Sequence, residues 1–163
     1  MRAYLELKER ALACNRALFT QGVVTGTFGN ASALDPEKGL FAIKPSGVPY
    51  EALRARDMVI VDLAGRVAEG RLNPSSDTAT HAVLYRHFTG IKGVCHTHSA
   101  YATAWAQAGR AVPVLGTTHA DALPGPVPCI PVMAEKRIKG LYEEETGMWI
   151  VENMKDSWRE IPM

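Results

Sequence analysis

Apolar residues recur at alternating three- and four-residue steps over the first twenty positions of the chain. This spacing places them along one face of a helix, where they can pack against a core. Gly22 follows the run and can end the helix, because glycine readily adopts the left-handed conformation found at helix C-termini. The pattern therefore predicts an amphipathic first helix. Its apolar stripe consists of Tyr4, Leu7, Ala11, Cys14 and Leu18.

After this helix the pattern shortens to strand-like pieces separated by turn residues. Residues 23–33 and 40–44 flank the turn Asp35-Pro36-Glu37-Lys38-Gly39, and residues 58–62 and 66–69 flank a second turn that contains glycine. Proline, glycine and aspartate each favour tight turns. Both pairs of segments therefore predict β-hairpins.

The second half of the chain alternates helical and strand-like segments. A helix is predicted to begin near Asp77, followed by a short strand at residues 93–98 and an alanine-rich helix at residues 99–108. A proline-rich stretch then leads to residues 135–154, which are again helical in composition. Strands that come in hairpins between helices favour an α+β fold with a mainly antiparallel sheet over a doubly wound parallel one.

Length and charge restrict the possible functions. The 163 residues are 47% apolar, which suits one domain over residues 1–163. The 18 Lys and Arg and 17 Asp and Glu are interleaved and leave a net charge of +1, so no surface for nucleic acid or membrane lipid is predicted. No apolar run approaches the roughly 20 residues of a membrane span, and the first residues lack the apolar core of a signal peptide. We therefore expect a cytoplasmic protein whose partners are small molecules or other protein chains.

The three cysteines, Cys14, Cys95 and Cys129, are widely spaced. Their odd number and the lack of a Cys-x-x-Cys pair indicate neither a disulfide framework nor a thiolate zinc site. They are predicted to be reduced, buried thiols.

Two histidines stand in the sequence His96-Thr97-His98, at the end of a predicted strand. Alternate side chains of a strand point to the same face, so both imidazoles can bind one metal ion. Isolated pairs of this kind more often face solvent or make ordinary hydrogen bonds. Because this pair follows a buried element, where functional groups are common, we predict His96 and His98 as ligands of zinc or a similar ion.

A catalytic zinc site needs a third protein ligand, and four further residues are candidates. Asp77 at a helix N-terminus is the first choice, although a plain helix cap fits its position equally well. His81 and His87 lie inside the predicted helix and are interpreted as packing or surface residues. His119 is ambiguous, with a loop hydrogen bond as its ordinary role.

A second group of residues has the composition of an anion site. One ammonium, one amide, three hydroxyls and the backbone N–H groups of glycine turns are what a phosphate monoester requires. Each short motif alone also fits an ordinary turn, loop or cap. Since the chain has neither a Walker loop nor a dinucleotide fingerprint, the phosphate would belong to a small substrate. The candidates are Gly29, Asn30, Lys44, Ser46, Gly47, Ser75 and Ser76.

Asp121 lies in a predicted loop beyond the histidine pair. A carboxylate near a metal-bound carbonyl can transfer protons as a general acid or base. From loop context alone, an exposed turn aspartate is the simpler interpretation.

Five motifs follow one another along the chain. They are Gly29-Asn30-Ala31-Ser32, Lys44-Pro45-Ser46-Gly47, Pro74-Ser75-Ser76-Asp77-Thr78, His96-Thr97-His98-Ser99 and Gly116-Thr117-Thr118-His119-Ala120-Asp121. In this order they closely resemble the L-ribulose-5-phosphate 4-epimerase branch of the class II aldolase family, over nearly the whole chain. Aldolases of this family usually carry glutamate at the position of Asp77, which favours the epimerase branch.

The resemblance implies a three-layer α/β/α fold around a mostly antiparallel sheet, assembled as a homotetramer with active sites between subunits. It implies zinc-dependent interconversion of L-ribulose 5-phosphate and D-xylulose 5-phosphate, as in arabinose catabolism. His96 and His98 would bind Zn²⁺, Asp77 would lie at or near the metal, and Asp121 would transfer a proton. The substrate phosphate would be held by Asn30, Lys44, Ser46, Gly47, Ser75 and Ser76, in a loop shaped by Gly29.

The chain also departs from this family, whose members continue beyond the position of Met163 and there supply the third metal-binding histidine. We therefore expect a C-terminally short domain with an exposed sheet edge and an uncovered apolar face. Two further hypotheses stay open. The chain could be a catalytically silent aldolase-like domain with a structural or binding role, or a related sugar-phosphate aldolase.

Overall fold

The computed structural model describes residues 4–123 and 125–154. The helices in this part of the chain are α1 (Leu5–Thr20), α2 (Thr78–His87), α3 (Ala100–Gln107), α4 (Thr117–Ala122), α5 (Glu135–Ile138) and α6 (Tyr142–Met154), with a 3-10 turn at Ala55–Asp57. The strands are β1 (Asn30–Asp35), β2 (Leu40–Ile43), β3 (Val59–Asp62), β4 (Val67–Glu69) and β5 (Gly93–His96).

These strands form one sheet in the order β4-β3-β2-β1-β5, and every neighbouring pair is antiparallel. The pairs β1–β2 and β3–β4 are the two predicted hairpins. β5 pairs with the other side of β1, so that Asn30 lies opposite His96 and Ser32 opposite Val94. The antiparallel sheet predicted from the hairpin pattern is therefore confirmed.

Alternation along the strands gives the sheet two apolar faces, and a helix covers each of them. Ala42 and Ile60 belong to the face that packs against α1. Phe41 and Val61 belong to the opposite face, which packs against α2, and α6 packs in turn against α2. Full burial of a side chain such as Phe41 stabilises the fold by about 1.5–3 kcal/mol. The three-layer α/β/α arrangement is thus confirmed.

The contact between α2 and α6 depends on Gly147, at which a Cβ atom would lie 2.7 Å from the Val83 Cβ and 3.1 Å from the Thr80 carbonyl oxygen. We expect Gly147→Ala to lower the free energy of unfolding by about 1–2 kcal/mol, because overpacking outweighs the better helix propensity of alanine. Urea unfolding measures this change. Gly140→Ala is the control, since its Cβ would make only an ordinary 3.5 Å contact with the Arg137 carbonyl oxygen. Equal changes in both variants would contradict the packing argument.

The strand predicted over residues 23–33 begins only at Asn30. Residues 23–29 form a loop in which Gly26 and Gly29 have φ angles of 59° and 77°, outside the range of a strand. The strand predicted over residues 93–98 likewise ends at His96. The backbone N–H of His98 instead donates to the carbonyl oxygen of Val23 at 2.9 Å, which ties the loop to the segment after β5.

The cysteines are unpaired as predicted, but their expected burial is wrong. Cys14 and Cys95 are exposed, and Cys129 is half-buried. Cys95 lies on β5, at the edge of the sheet as far as the structure describes it, and this position leaves the strand partly open to solvent.

The second half of the described chain carries apolar side chains on its surface. Tyr101, Leu115 and Val132 are 86%, 82% and 94% exposed. The expectation of an uncovered apolar surface agrees with these values. Across residues 4–123 and 125–154, none of the helices has the length and apolarity of a membrane-spanning segment.

Candidate functional site

A cavity of about 310 Å³ opens where β1 begins, where β2 and β5 end and where α2 begins. The antiparallel pairing brings these points to one end of the sheet, because β1 runs opposite to both of its neighbours. The structure therefore brings together every residue predicted from the sequence for phosphate or metal binding. They are Gly29, Asn30, Lys44, Ser46, Gly47, Ser75, Ser76, Asp77, His96 and His98.

Backbone hydrogen bonds hold the two loops that carry the hydroxyls. The Ser75 N–H donates to the Lys44 carbonyl oxygen at 3.0 Å, and the Ser46 N–H donates to the Asn73 carbonyl oxygen at 2.9 Å. This short bridge between the segment after β2 and the segment before α2 fixes Ser46 and Ser75 on the same wall of the cavity.

Lys44 supplies a buried positive charge. Its side chain is only 2% exposed, and its Nζ donates to the carbonyl oxygens of Thr27 at 3.2 Å and Pro45 at 3.4 Å. The ammonium also lies 4.8 Å from the centre of the Tyr50 ring. In the described part of the chain no carboxylate pairs with it, and burial lowers its pKa. A buried cation of this kind gains most from an anionic ligand.

Asp77 accepts two hydrogen bonds on the same oxygen. His96 Nδ1 lies 2.6 Å and Asn30 Nδ2 lies 2.5 Å from the Asp77 Oδ2 atom. Burial alone would raise the pKa of Asp77, but the hydrogen bond from His96 brings that pKa below its usual value. The same bond raises the pKa of His96, against the opposing effect of burial. Asn30 Nδ2 also donates to Ser75 Oγ at 3.1 Å, so one amide joins the histidine side of the cavity to its hydroxyl side.

The histidine pair matches part of a metal site. With Nδ1 bonded to a carboxylate, His96 keeps Nε2 free for a metal, which is the usual arrangement of a ligating histidine. The His98 ring lies 4.8 Å from the His96 ring, centre to centre. Within the described residues no group of three His, Cys, Asp or Glu side chains could hold a metal ion. The two histidines can therefore fill two ligand positions of a zinc ion, and Asp77 is placed to orient the His96 ring. The role of Asp77 itself as a ligand stays a prediction.

The other candidates lie outside the cavity. His81 is buried, and this burial lowers its pKa to about 4 against the attraction of Asp77. His87 Nδ1 lies 2.9 Å from the Val83 carbonyl oxygen, and His119 Nε2 lies 3.1 Å from that of Gly125. These contacts agree with the packing and loop roles predicted for the three histidines. Asp121 is exposed on α4 and does not line the cavity, so its catalytic role stays a prediction.

Sequence reasoning missed two residues that shape the site. The buried Tyr50 hydroxyl donates to the carbonyl oxygen of Gly29 at 2.7 Å and supports the loop from a position 21 residues away. The Asn15 amide bonds to both the N–H and the carbonyl oxygen of Ala31, at 2.9 and 2.8 Å. Asn15 thereby pairs with the backbone of β1 at a residue that lies beyond the end of β2. The sequence offered one signal for Asn15, a polar residue beside the apolar stripe of α1, whereas no local pattern marks Tyr50.

The sequence and the fold resemble those of known proteins. The model of the class II aldolase and adducin N-terminal domain family matches residues 9–158. An L-fuculose 1-phosphate aldolase structure shares 28% identity with a TM-score of 0.74, over 88% of this chain and 67% of that one. The L-fuculose-1-phosphate aldolase of Thermus thermophilus shares 29% identity with a TM-score of 0.69, over 96% and 73% of the two chains.

A further structure is YgbL from Klebsiella pneumoniae, whose suggested activities are aldolase, epimerase or decarboxylase. It shares 33% identity with a TM-score of 0.57, over 62% of this chain. The chain spans only 48% of the length of YgbL. The match to the family model covers most of the sequence, and on this evidence the chain belongs to the class II aldolase and adducin N-terminal domain family.

Proposed function

We propose that this protein is a cytoplasmic, homotetrameric enzyme that interconverts L-ribulose 5-phosphate and D-xylulose 5-phosphate by retro-aldol and aldol steps. The observation that carries the proposal is one cavity that combines a buried lysine without a carboxylate partner, in the described residues, with a pair of histidines. The epimerase-like motifs of the sequence, above all Asp77 and the run that ends at Asp121, support this reaction among those of the family.

In this proposal the substrate phosphate lies between Lys44, Ser46 and the first turn of α2. An anion there would offset the desolvation of the Lys44 ammonium. The hydroxyls of Ser46, Ser75 and Ser76 supply hydrogen bonds, and backbone N–H groups at the start of α2 and beside Gly47 add further donors. The phosphate would thus be fixed at one wall of the cavity.

His96 and His98 would hold a zinc ion, and Asp77 would keep the His96 ring oriented. When bound, zinc would stabilise the negative charge that develops on the sugar oxygens as a carbon–carbon bond breaks. The remaining ligand positions would be filled by the substrate and by groups outside the described residues.

Cleavage of the C3–C4 bond gives the enediolate of dihydroxyacetone and glycolaldehyde phosphate. The phosphate anchor retains the aldehyde while it turns to present its other face, and the bond then re-forms with inverted configuration at C4. Asp121 would remove and return the proton of the C4 hydroxyl. Because Asp121 is exposed and does not line the cavity of its own chain, it would act at the cavity of a neighbouring subunit.

Two alternatives each have a supporting observation. The similarity to L-fuculose-1-phosphate aldolases favours a sugar-phosphate aldolase, which would release its products instead of recombining them. The lack of a three-ligand cluster among the described residues favours a catalytically silent domain with a binding or structural role.

The purified protein supplied with zinc is expected to form D-xylulose 5-phosphate in a coupled assay. His96→Asn should lower kcat/KM by roughly 100-fold or more, because it removes a ligand of an ion that contributes several kcal/mol to catalysis. It should also lower the zinc content measured by atomic emission. His87→Asn, at the C-terminal end of α2, is the matched control and should change neither value.

Each other result contradicts a specific part of the proposal. Release of dihydroxyacetone and free glycolaldehyde phosphate would identify an aldolase. No turnover at saturating zinc would support the silent domain. Unchanged zinc content in His96→Asn would show that the ligand assignment is wrong.

A further inference from the structure

His81, Ser32 and Tyr85 form a buried hydrogen-bond network beside the cavity, and the proposed reaction does not use them. His81 Nδ1 and the Tyr85 hydroxyl each lie 2.7 Å from the Ser32 Oγ atom. The exposed fractions of His81, Ser32 and Tyr85 are 1%, 2% and 5%. Three buried polar groups that satisfy one another in this way strongly constrain the elements that carry them.

The network joins α2 to β1, two of the four elements whose ends form the cavity. Ser32 lies on β1 two residues after Asn30, and it is paired with Val94 of β5, two residues before His96. His81 lies one turn after Asp77 on α2, and its backbone N–H donates to the Asp77 carbonyl oxygen at 2.9 Å. A shift of Ser32 or His81 would therefore alter the separation between the first turn of α2 and the ends of β1 and β5.

Either oxygen of the Ser32–Tyr85 bond could donate, and one order of protons pairs all three groups while His81 stays neutral. Burial raises the pKa of the Tyr85 phenol, so its hydroxyl keeps its proton and can donate to Ser32 Oγ. Ser32 then has its own proton for His81 Nδ1, which leaves the neutral imidazole protonated on Nε2. In this order each of the two hydrogen bonds has one donor and one acceptor.

We propose that His81, Ser32 and Tyr85 are positioning residues that hold the Asp77 carboxylate against His96 Nδ1. This inference rests on the proposed function only in its catalytic consequence, since the 2.6 Å contact between Asp77 and His96 exists without substrate or metal. Loss of a hydrogen bond in this network should weaken the contact between Asp77 and His96 and leave the His96 ring free to rotate. The effect on catalysis should then fall on kcat, with little change in KM, because the phosphate-binding groups remain.

Long-range ¹H–¹⁵N NMR spectra of the metal-free, isotope-labelled protein test the proposal, since they report the tautomer and hydrogen bonding of each histidine ring. In the unmodified protein we expect His81 protonated on Nε2 and His96 hydrogen-bonded through Nδ1. Ser32→Ala should abolish the single tautomer of His81 and move the His96 signals toward those of a free imidazole. Tyr85→Phe, which keeps the ring, should move them in the same direction by a smaller amount.

His87→Gln is the matched control, because His87 is on the same helix as His81 but takes no part in the hydrogen-bond network. It should leave the His81 and His96 signals unchanged. If the enzyme is active, Ser32→Ala should lower kcat about tenfold, the lower end of the effect of losing an outer hydrogen-bond partner of a metal ligand.

A His81 ring protonated on Nδ1 in the unmodified protein would overturn the inferred order of protons. An unchanged His96 signal in both Ser32→Ala and Tyr85→Phe would overturn the positioning role, even if both variants were less stable to urea. Failure of the proposed function would appear only in the assay, because the NMR measurement requires neither turnover nor zinc. If Ser32→Ala does not fold, Tyr85→Phe decides alone.

Discussion

Gly29→Ala is expected to disrupt the cavity and to lower the free energy of unfolding by roughly 2–5 kcal/mol. A Cβ atom at this position would lie 2.6 Å from Val24 Cγ1 and 2.9 Å from the His96 carbonyl oxygen, and the φ angle of Gly29 is +77°. The left-handed backbone and the steric clash therefore act together. Because the clash falls on the backbone at His96, the segment that carries the histidine pair should move, and both phosphate and zinc binding should be lost.

Gly26→Ala separates these two causes. Gly26 lies in the same loop with a φ angle of +59°, but a Cβ atom there would meet nothing within 4 Å. This variant should lose only the roughly 1–2 kcal/mol that a left-handed conformation costs a residue with a side chain. Urea unfolding and calorimetric titration with inorganic phosphate measure both variants. Equal losses of stability in the two would show that the close approach to Val24 and His96 has no energetic importance.

Lys44→Met is expected to change binding and stability in opposite directions. Loss of the ammonium should weaken binding of inorganic phosphate roughly 10- to 150-fold, the equivalent of the 1.5–3 kcal/mol typical of a hydrogen bond to a charged group. The free energy of unfolding should rise by about 1 kcal/mol, because methionine fills a similar volume without a buried charge that lacks a carboxylate partner in the described residues. Calorimetric titration and urea unfolding provide the two values.

The same substitution has a consequence for the pH dependence of stability. Burial lowers the pKa of Lys44 in the folded protein below its unfolded value of 10.5. Between these two pKa values the unfolded chain binds more protons, so this lysine makes stability rise as the pH increases through that window. The difference in unfolding free energy between the unmodified protein and Lys44→Met should therefore shrink as the pH approaches 10.5.

Lys38→Met is the matched control for both measurements. Lys38 is an exposed lysine paired with Asp35 at 2.6 Å, and an exposed pair of this kind contributes only about 0–1 kcal/mol. This variant should bind phosphate normally and be no more stable than the unmodified protein. A stability gain in Lys38→Met equal to that in Lys44→Met would contradict the role assigned to burial.

The elements of the fold follow closely from local pattern. The helical spacing of the first twenty residues corresponds to α1, and both hairpins lie where turn residues separate apolar segments. The prediction from local pattern was wrong where the backbone conformation differs from the strand propensity of the residues. Residues 23–29 contain valine and threonine, which favour strands, but the positive φ angles of Gly26 and Gly29 and a bond to His98 make this segment a loop.

The chemistry of the site was also visible in residue types and spacing. His96 and His98 lie beside each other, as the two-residue period of a strand requires, even though the strand itself ends at His96. The partners of the site residues could not be predicted in this way. The contact of Asp77 with His96 and the bond from Tyr50 to the loop at Gly29 both join residues far apart in the sequence.

The sequence by itself therefore determined the kinds of element, their antiparallel arrangement and the set of candidate side chains that lie together at the cavity. Periodicity, turn residues and side-chain chemistry are local properties, and they can be seen without knowing how the chain packs. Only the tertiary structure decided that the ammonium of Lys44 is buried without a carboxylate partner in the described residues, that Asp77 faces His96, and that His81 bonds to Ser32. These features arise from contacts between residues far apart in the chain, whose distances and desolvation are set by packing alone.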